Sequence, residues 1–210
     1  MKKNLQKYLI ASISIFLIAF TVNIEAQNQS SDREVKKTNI KYKKARALQA
    51  GTAKKMAKVY EALEVVDDKG EPDPDMETVL SILTELRRDM ANLKSYDRSV
   101  MWNAWAFVYF SDGKYDQAMD AYYNLINEPE VTIGLRVGAL LSLAQLHLVQ
   151  ENYKEGIELI LQWMNEVEKV TAQSYSLLGQ AYYQTGDFRK SLSSMETCLL
   201  YTSPSPRDIR

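Results

Sequence analysis

The sequence predicts an all-α protein, a solenoid of helical hairpins that follows two N-terminal helices and is truncated at its C-terminus. Leu, Ala, Glu and Lys are abundant, whereas the 210 residues include only 8 Gly and 5 Pro. That composition favours helix over strand. Apolar residues recur at steps of three and four, and a pattern of aromatic and small residues returns three times between residues 98 and 197. Such internal repetition is typical of a helical-repeat array.

The first 26 residues have the layout of a secretory signal. They begin with three basic side chains, Lys2, Lys3 and Lys7. An apolar run, Tyr8–Val22, and then Ala26 follow. The run has 15 residues, fewer than the roughly 20 that span a bilayer as a helix. We therefore expect residues 1–26 to be a signal peptide cleaved after Ala26, and the protein to be exported to the periplasm of a Gram-negative bacterium. The alternative is an uncleaved segment that anchors the protein in the inner membrane.

Charge divides the rest of the chain into a basic arm and an acidic body. Residues 27–66 contain ten Lys or Arg and four Asp or Glu, whereas residues 67–197 contain eleven and twenty-one. We expect residues 27–66 to form a basic N-terminal helix. Its cationic residues include Lys36, Lys37, Lys41, Lys43, Lys44 and Arg46. They could make weak contact with an anionic membrane surface or an acidic partner, although a solvated helix face that aids export is the favoured interpretation. A single interleaved aromatic, Tyr42, argues against nucleic-acid binding.

Two helices without a repeat signature are predicted before the repeats. The apolar face of the first comprises Ala45, Leu48, Thr52, Met56, Val59 and Leu63. Residues 67–97 are expected to be a linker and a lead-in helix, with Asp73 as the helix cap and Pro74 in the first turn. The stripe of that helix comprises Met76, Val79, Leu80, Leu83, Leu86, Met90 and Leu93. The acids of the linker lack the ligand periodicity of a calcium loop, so no metal site is predicted.

Three consecutive units carry the repeat. The first, residues 98–131, is marked by Trp102, Ala106, Tyr109, Gly113, Tyr115, Ala118 and Tyr122. The second, residues 132–170, is degenerate and retains Leu140, Leu143, Ala144 and Tyr153. In this unit Glu151 occupies the position of the turn glycine, and Gly156 occupies the position of the small residue in the second helix. The third, residues 171–197, is incomplete and is marked by Tyr175, Leu178, Gly179, Tyr182, Gly186, Phe188 and Ser191.

The intervals between equivalent positions locate an irregularity. Tyr115, Tyr153 and Phe188 are 38 and 35 residues apart. We expect the longer interval to result from an insertion in the connection at residues 128–132.

These motifs resemble the tetratricopeptide repeat (TPR), whose 34-residue unit has a large, a small and an aromatic residue in its first helix and a glycine at the turn. The resemblance implies a partner-binding groove lined by the first helix of each hairpin. The groove residues would be Asn103, Phe107, Phe110, Gln145, Leu148, Gln180, Tyr183 and Gln184. Amides and aromatics suit a protein or peptide partner. The Lys/Asn set with which some TPR proteins hold a terminal carboxylate does not occur at the matching places.

Residues 41–196 also resemble exported TPR proteins encoded with TonB energy-transduction systems. The resemblance rests on the order of signal, basic helix, acidic linker, leucine-rich helix, Tyr96-Asp97 and Trp102-Asn103 before the repeats. It implies a scaffold that serves a TonB-dependent uptake system. The alternatives are a TPR adaptor in envelope assembly or cell-wall synthesis, and the non-catalytic N-terminal part of a larger enzyme.

Catalytic chemistry is not predicted from these residues. The only histidine, His147, occupies a position where the repeat has a core aromatic. No second histidine, and no cysteine before Cys198, could complete a metal site or a nucleophile pair. We therefore expect a binding protein without a cofactor.

Residues 198–210 break the helical pattern. The eleven residues Cys198–Asp208 resemble the translation of a sequencing adapter, so this tail is interpreted as non-native. A disordered Pro/Ser-rich tail is the alternative.

Overall fold

The computed structural model describes residues 46–202, with side chains described as far as Leu200. The signal segment, the first 19 residues of the basic arm with Lys36, Lys37, Lys41, Lys43 and Lys44, and the last eight residues of the tail lie outside the described residues. The described part contains eight α-helices and no strand. Neighbouring helices pack as successive antiparallel pairs, so the predicted all-α solenoid of helical hairpins is confirmed.

The first hairpin pairs α1 (Ala50–Leu63) with α2 (Met76–Arg88). Four side chains of α1 are buried: Thr52, Met56, Val59 and Ala62. Those of α2 are Val79, Leu83 and Leu86. Most residues of the expected stripes therefore form the core of this hairpin. Leu80 is an exception at 40% exposed, and both helices are shorter than expected.

Residues 46–49 are not helical because Gln49 is bound to the next hairpin instead. Its backbone N–H donates to the Asp97 carboxylate (2.9 Å), and its side-chain oxygen accepts the Lys94 N–H (3.1 Å). The extended conformation at Gln49 (ψ 143°) follows from this contact, and α1 begins only at Ala50. At the same end of the hairpin, Met90–Asn92 form a 3-10 turn after α2.

The acidic linker is an ordered turn. The Asp67 carboxylate accepts the N–H groups of Lys69 and Glu71, and Val66 forms an isolated β-bridge with Pro72. The helix cap is Asp75, which accepts the Thr78 N–H at 3.0 Å. The prediction of Asp73 as the cap is wrong, because the helix begins at Met76 and Asp75 is the residue directly before it; Pro74 therefore precedes the cap and is not in the first turn.

Three further hairpins follow. They are α3 (Ser95–Ser111) with α4 (Tyr115–Ile126), α5 (Ile133–Val149) with α6 (Tyr153–Glu166), and α7 (Ala172–Gln184) with α8 (Phe188–Thr202). In addition, α4 packs on α5, α6 packs on α7, and α3 touches α5. Each hairpin thus covers the second helix of the one before it, as in a solenoid.

The interval from Tyr115 to Tyr153 is longer than the next one, and its extra residues lie mainly in a helix. The connections at residues 127–132 and 167–171 differ by one residue, whereas α5 is four residues longer than α7. The added length therefore forms an additional first turn of α5, and the insertion is not confined to residues 128–132.

The turn between the two helices of each repeat has the same left-handed residue. Gly113 has φ 71° and Gly186 has φ 78°, and Glu151 adopts φ 63° at the equivalent place. A side chain is disfavoured there because its Cβ crowds the following carbonyl. The degenerate second repeat therefore keeps the turn geometry of its neighbours with an unfavourable residue.

Small residues allow close packing within the hairpins, as predicted. A Cβ on Gly156 would lie 2.6 Å from Leu148 Cδ2, and one on Gly179 would lie 3.0 Å from Met195 Cε. The Ser191 hydroxyl donates to the Gly179 carbonyl at 2.8 Å.

The last helix continues past the predicted boundary of the non-native tail. α8 runs to Thr202, five residues beyond Thr197. Residues 198–202 include Leu199 and Leu200 and no proline, so they can extend the helix without interruption.

Candidate partner-binding face

The first helix of each repeat presents one solvent-facing stripe. On α3 the stripe runs through Asn103, Phe107 and Ser111, all at least partly exposed. Its counterparts on α5 and α7 occupy equivalent motif positions. They are Leu141, Gln145, Leu148 and Val149, and Ser176, Gln180, Tyr183 and Gln184. Because the hairpins are equivalent, these three stripes share one side of the array. We name them together the A-helix face.

Most of the predicted groove residues lie on this face. Asn103, Phe107, Gln145 and Leu148 are half-buried, and Gln180 and Gln184 are exposed. Tyr183 is 62% exposed, the most of any predicted groove residue that is aromatic. Phe110 differs, since it is only 7% exposed.

Phe110 is buried because it packs against the second helix of its own hairpin. Its ring centroid is 5.8 Å from that of Tyr115. The equivalent pair in the third repeat, Tyr183 and Phe188, has the same contact at 5.5 Å, but both rings are 62% exposed. The same two motif positions thus form a packed pair in the first repeat and an open aromatic surface in the third.

The face is flanked by charges that are neutralised within the fold. The Arg98 guanidinium donates to both carboxylate oxygens of Glu128 at 2.7 Å, and its third donor binds the Leu93 carbonyl. Arg136 repeats this arrangement with Glu166 at 2.8 and 3.0 Å, and with the Ile126 carbonyl. The hydrogen bonds from Arg136 lower the pKa of the Glu166 carboxyl.

Sequence reasoning missed these two Arg–Glu pairs. In each pair the arginine and the glutamate are 30 residues apart in the sequence. The second pair follows the first after 38 residues. That displacement matches the interval between Tyr115 and Tyr153. The recurrence of the Arg and Glu positions was therefore visible in the sequence. The repeat motif does not include these positions, because its residues are those that pack the helices.

His147 is a core residue with one polar contact. It is 8% exposed, and its Nε2 is 2.9 Å from the Tyr123 hydroxyl. Its Nδ1 is buried without a hydrogen-bond partner. Burial lowers the pKa of the imidazole, and the Glu155 carboxylate partly opposes this. Within residues 46–202, no group of three His, Cys, Asp or Glu side chains is placed to hold a metal ion.

The lead-in hairpin is joined to the first repeat by an aromatic cluster. The guanidinium of Arg87 lies 5.4 and 5.6 Å from the rings of Trp102 and Trp105 and donates to the Tyr109 hydroxyl at 2.9 Å. Trp105 and Tyr109 stack at 5.0 Å. Two motif residues of the repeat, Trp102 and Tyr109, therefore serve with Trp105 to dock α2, and none of the three belongs to the A-helix face.

Comparison with protein families agrees with this architecture. A family model described as tetratricopeptide repeat matches residues 172–203, which include α7 and α8. No curated protein matches the chain. The family match and the packed helix pairs together support a TPR protein, and a TPR repeat supports a role as a protein–protein interaction scaffold. Among the described helices, none has the length and apolar character needed to cross a membrane.

Proposed function

We propose that this protein is an exported scaffold that binds a protein partner on the A-helix face. The observation that carries the proposal is the set of side chains on that face: the half-buried Phe107 and the exposed Tyr183 lie among carboxamides on the first helices of three consecutive hairpins. Aromatic and amide groups supply contact area and hydrogen bonds to a peptide. The packed Trp and Tyr positions of α3 explain the fold and leave this face free for binding.

The proposed location is the periplasm, and the proposed partner is a periplasmic component of a TonB assembly. The signal-type N-terminus supports export, and the order of features from the basic arm to the repeats supports the TonB association. In that role the scaffold would assist uptake of iron complexes or other scarce nutrients.

Site-specific photocrosslinking tests the partner and the face together. A photoreactive amino acid at Phe107 or Tyr183 should crosslink a TonB-system component in cells, whereas the same group at Gln117 on α4 should not. Crosslinking to a cell-wall synthesis or envelope-assembly protein would instead support the adaptor alternative. Equal crosslinking from Gln117 would argue against the A-helix face.

Cell fractionation tests export separately. The intact chain should appear in the periplasmic fraction, and a chain without residues 1–26 should remain in the cytoplasm. Retention of the intact chain in the inner membrane would support the anchored alternative.

The double variant Phe107→Ala and Tyr183→Ala should weaken partner binding by about tenfold or more, since exposed aromatic anchors dominate such interfaces. Its thermal midpoint should change little, because Phe107 is half-buried and Tyr183 is 62% exposed. Calorimetric titration and thermal melts measure the two effects. An equal loss of stability would show that these rings belong to the core.

A further inference from the structure

None of the side chains that form the A-helix face is charged. The first helices of the three repeats together contain only three charged side chains, Asp97, Arg98 and Arg136. Asp97 is 1% exposed and accepts the Gln49 N–H, so its carboxylate does not reach the surface. The two arginines are bound to Glu128 and Glu166. The remaining charges of the three repeats lie on the second helices and in the connections.

Carboxamides take the place of charges on this face. Asn103, Gln145 and Gln184 make no side-chain hydrogen bond within the described part of the chain, and Gln180 contacts only the Ser176 hydroxyl at 3.3 Å. A carboxamide has both donors and an acceptor, as a peptide group has. A helical ligand satisfies its own backbone groups, whereas an extended segment leaves them free to bond.

We infer that the A-helix face recognises an extended peptide segment without charged side chains. The carboxamides of Asn103, Gln145 and Gln180 bond its backbone, and Phe107 and Tyr183 contact its apolar side chains. A charged ligand side chain is disfavoured, because it would lose hydration and find no opposite charge on the face. This inference rests on the proposed function and specifies the ligand of the same site.

Selection from a displayed library of random peptides tests the inference with the full chain. The enriched peptides should contain an uncharged stretch. Their affinity should change less than about twofold between about 50 and 500 mM NaCl, because salt screens only charge–charge attraction. Calorimetric titration of synthetic copies of the selected peptides gives the affinities.

A pair of matched variants tests the role of the carboxamides. Gln145→Ala with Gln180→Ala should weaken the selected peptides by about fivefold or more, since two hydrogen bonds are lost. The control, Gln117→Ala with Asn165→Ala, removes two exposed amides from α4 and α6 and should leave affinity unchanged. Circular dichroism of both variants should match that of the parent chain.

The outcomes separate this inference from the proposed function. Selection of charged peptides whose affinity falls with salt and still depends on Phe107 and Tyr183 would overturn the inference. It would leave the A-helix face as the binding site. Uncharged peptides unaffected by the Gln145→Ala and Gln180→Ala pair would overturn the role of the carboxamides. Failure to select any peptide, or binding that ignores the Phe107→Ala and Tyr183→Ala pair, would contradict both.

Discussion

At the scale of single residues, Glu151 pays a conformational cost at the turn of the second repeat. It is exposed and adopts φ 63°, where the other two repeats use glycine. Glu151→Gly should raise the free energy of unfolding by about 1 kcal/mol. Urea denaturation measures it, and Gly113→Ala should have the opposite sign as a matched control. No change in either variant would show that the turn tolerates a side chain.

His147 makes stability depend on pH. Burial depresses its folded pKa, so the folded state favours the neutral imidazole more than the unfolded state does. Stability is then fully present above the unfolded pKa, about 6.5, and is lost as pH falls through the folded value. His147→Phe restores the aromatic of the repeat motif and should flatten the dependence between about pH 8 and pH 5.5. Denaturation midpoints of both chains across this range provide the test, and parallel curves would contradict it.

At the scale of helices, each Arg–Glu pair joins the first helix of a hairpin to the end of the second, and Arg136 also reaches the hairpin before it. Arg136 bonds Glu166 and the last carbonyl of α4, Ile126, so it joins three elements. Arg136→Lys keeps the charge but loses the planar fork, and should lower the free energy of unfolding by about 1 to 2 kcal/mol. The exposed pair of Lys114 with Asp112 is the control, since Lys114→Met should have no measurable effect. Equal effects in the two variants would refute a special role for the fork.

The boundaries of helices depended on contacts that a local pattern does not contain. The motif spacing predicted which helices pair, because small and aromatic residues at fixed positions determine packing. It could not predict that Gln49 binds Asp97 and so delays α1. Nor could it decide between Asp73 and Asp75 as the cap, because both precede the same apolar stripe. The burial of Phe110, a predicted groove residue, also depends on a contact outside the local pattern, because Phe110 packs on Tyr115 across the hairpin.

At the scale of the whole molecule, charge and apolar surface are separated. The first helices of the repeats show amides and aromatics to solvent, whereas almost all acids of the repeats lie on the second helices and in the connections. Stacking buries the apolar residues of each second helix beneath the next hairpin. For example, Ile157 on α6 is 8% exposed, whereas Leu192 at the equivalent position on α8 is 62% exposed.

The outer face of α8 therefore predicts self-association. Within the described part of the chain no helix packs over Leu192, and Phe188 one turn earlier is equally exposed. Water around such a surface favours its burial against another molecule. Of the neighbouring residues, Met195 packs inward on Gly179 and Tyr182 lies beneath the Lys190 ammonium, so Leu192 is the residue to change.

Leu192→Glu should reduce the dimers and larger species that light scattering detects at high concentration, because the charge opposes burial of this face. Leu161→Glu is the matched control, since Leu161 is also an exposed leucine on a second helix, at 39%. It should leave the association unchanged, because it lies on α6, which α7 already covers in part. If the parent chain is monomeric at every concentration, the face around Leu192 is stable in water and the prediction of self-association is wrong.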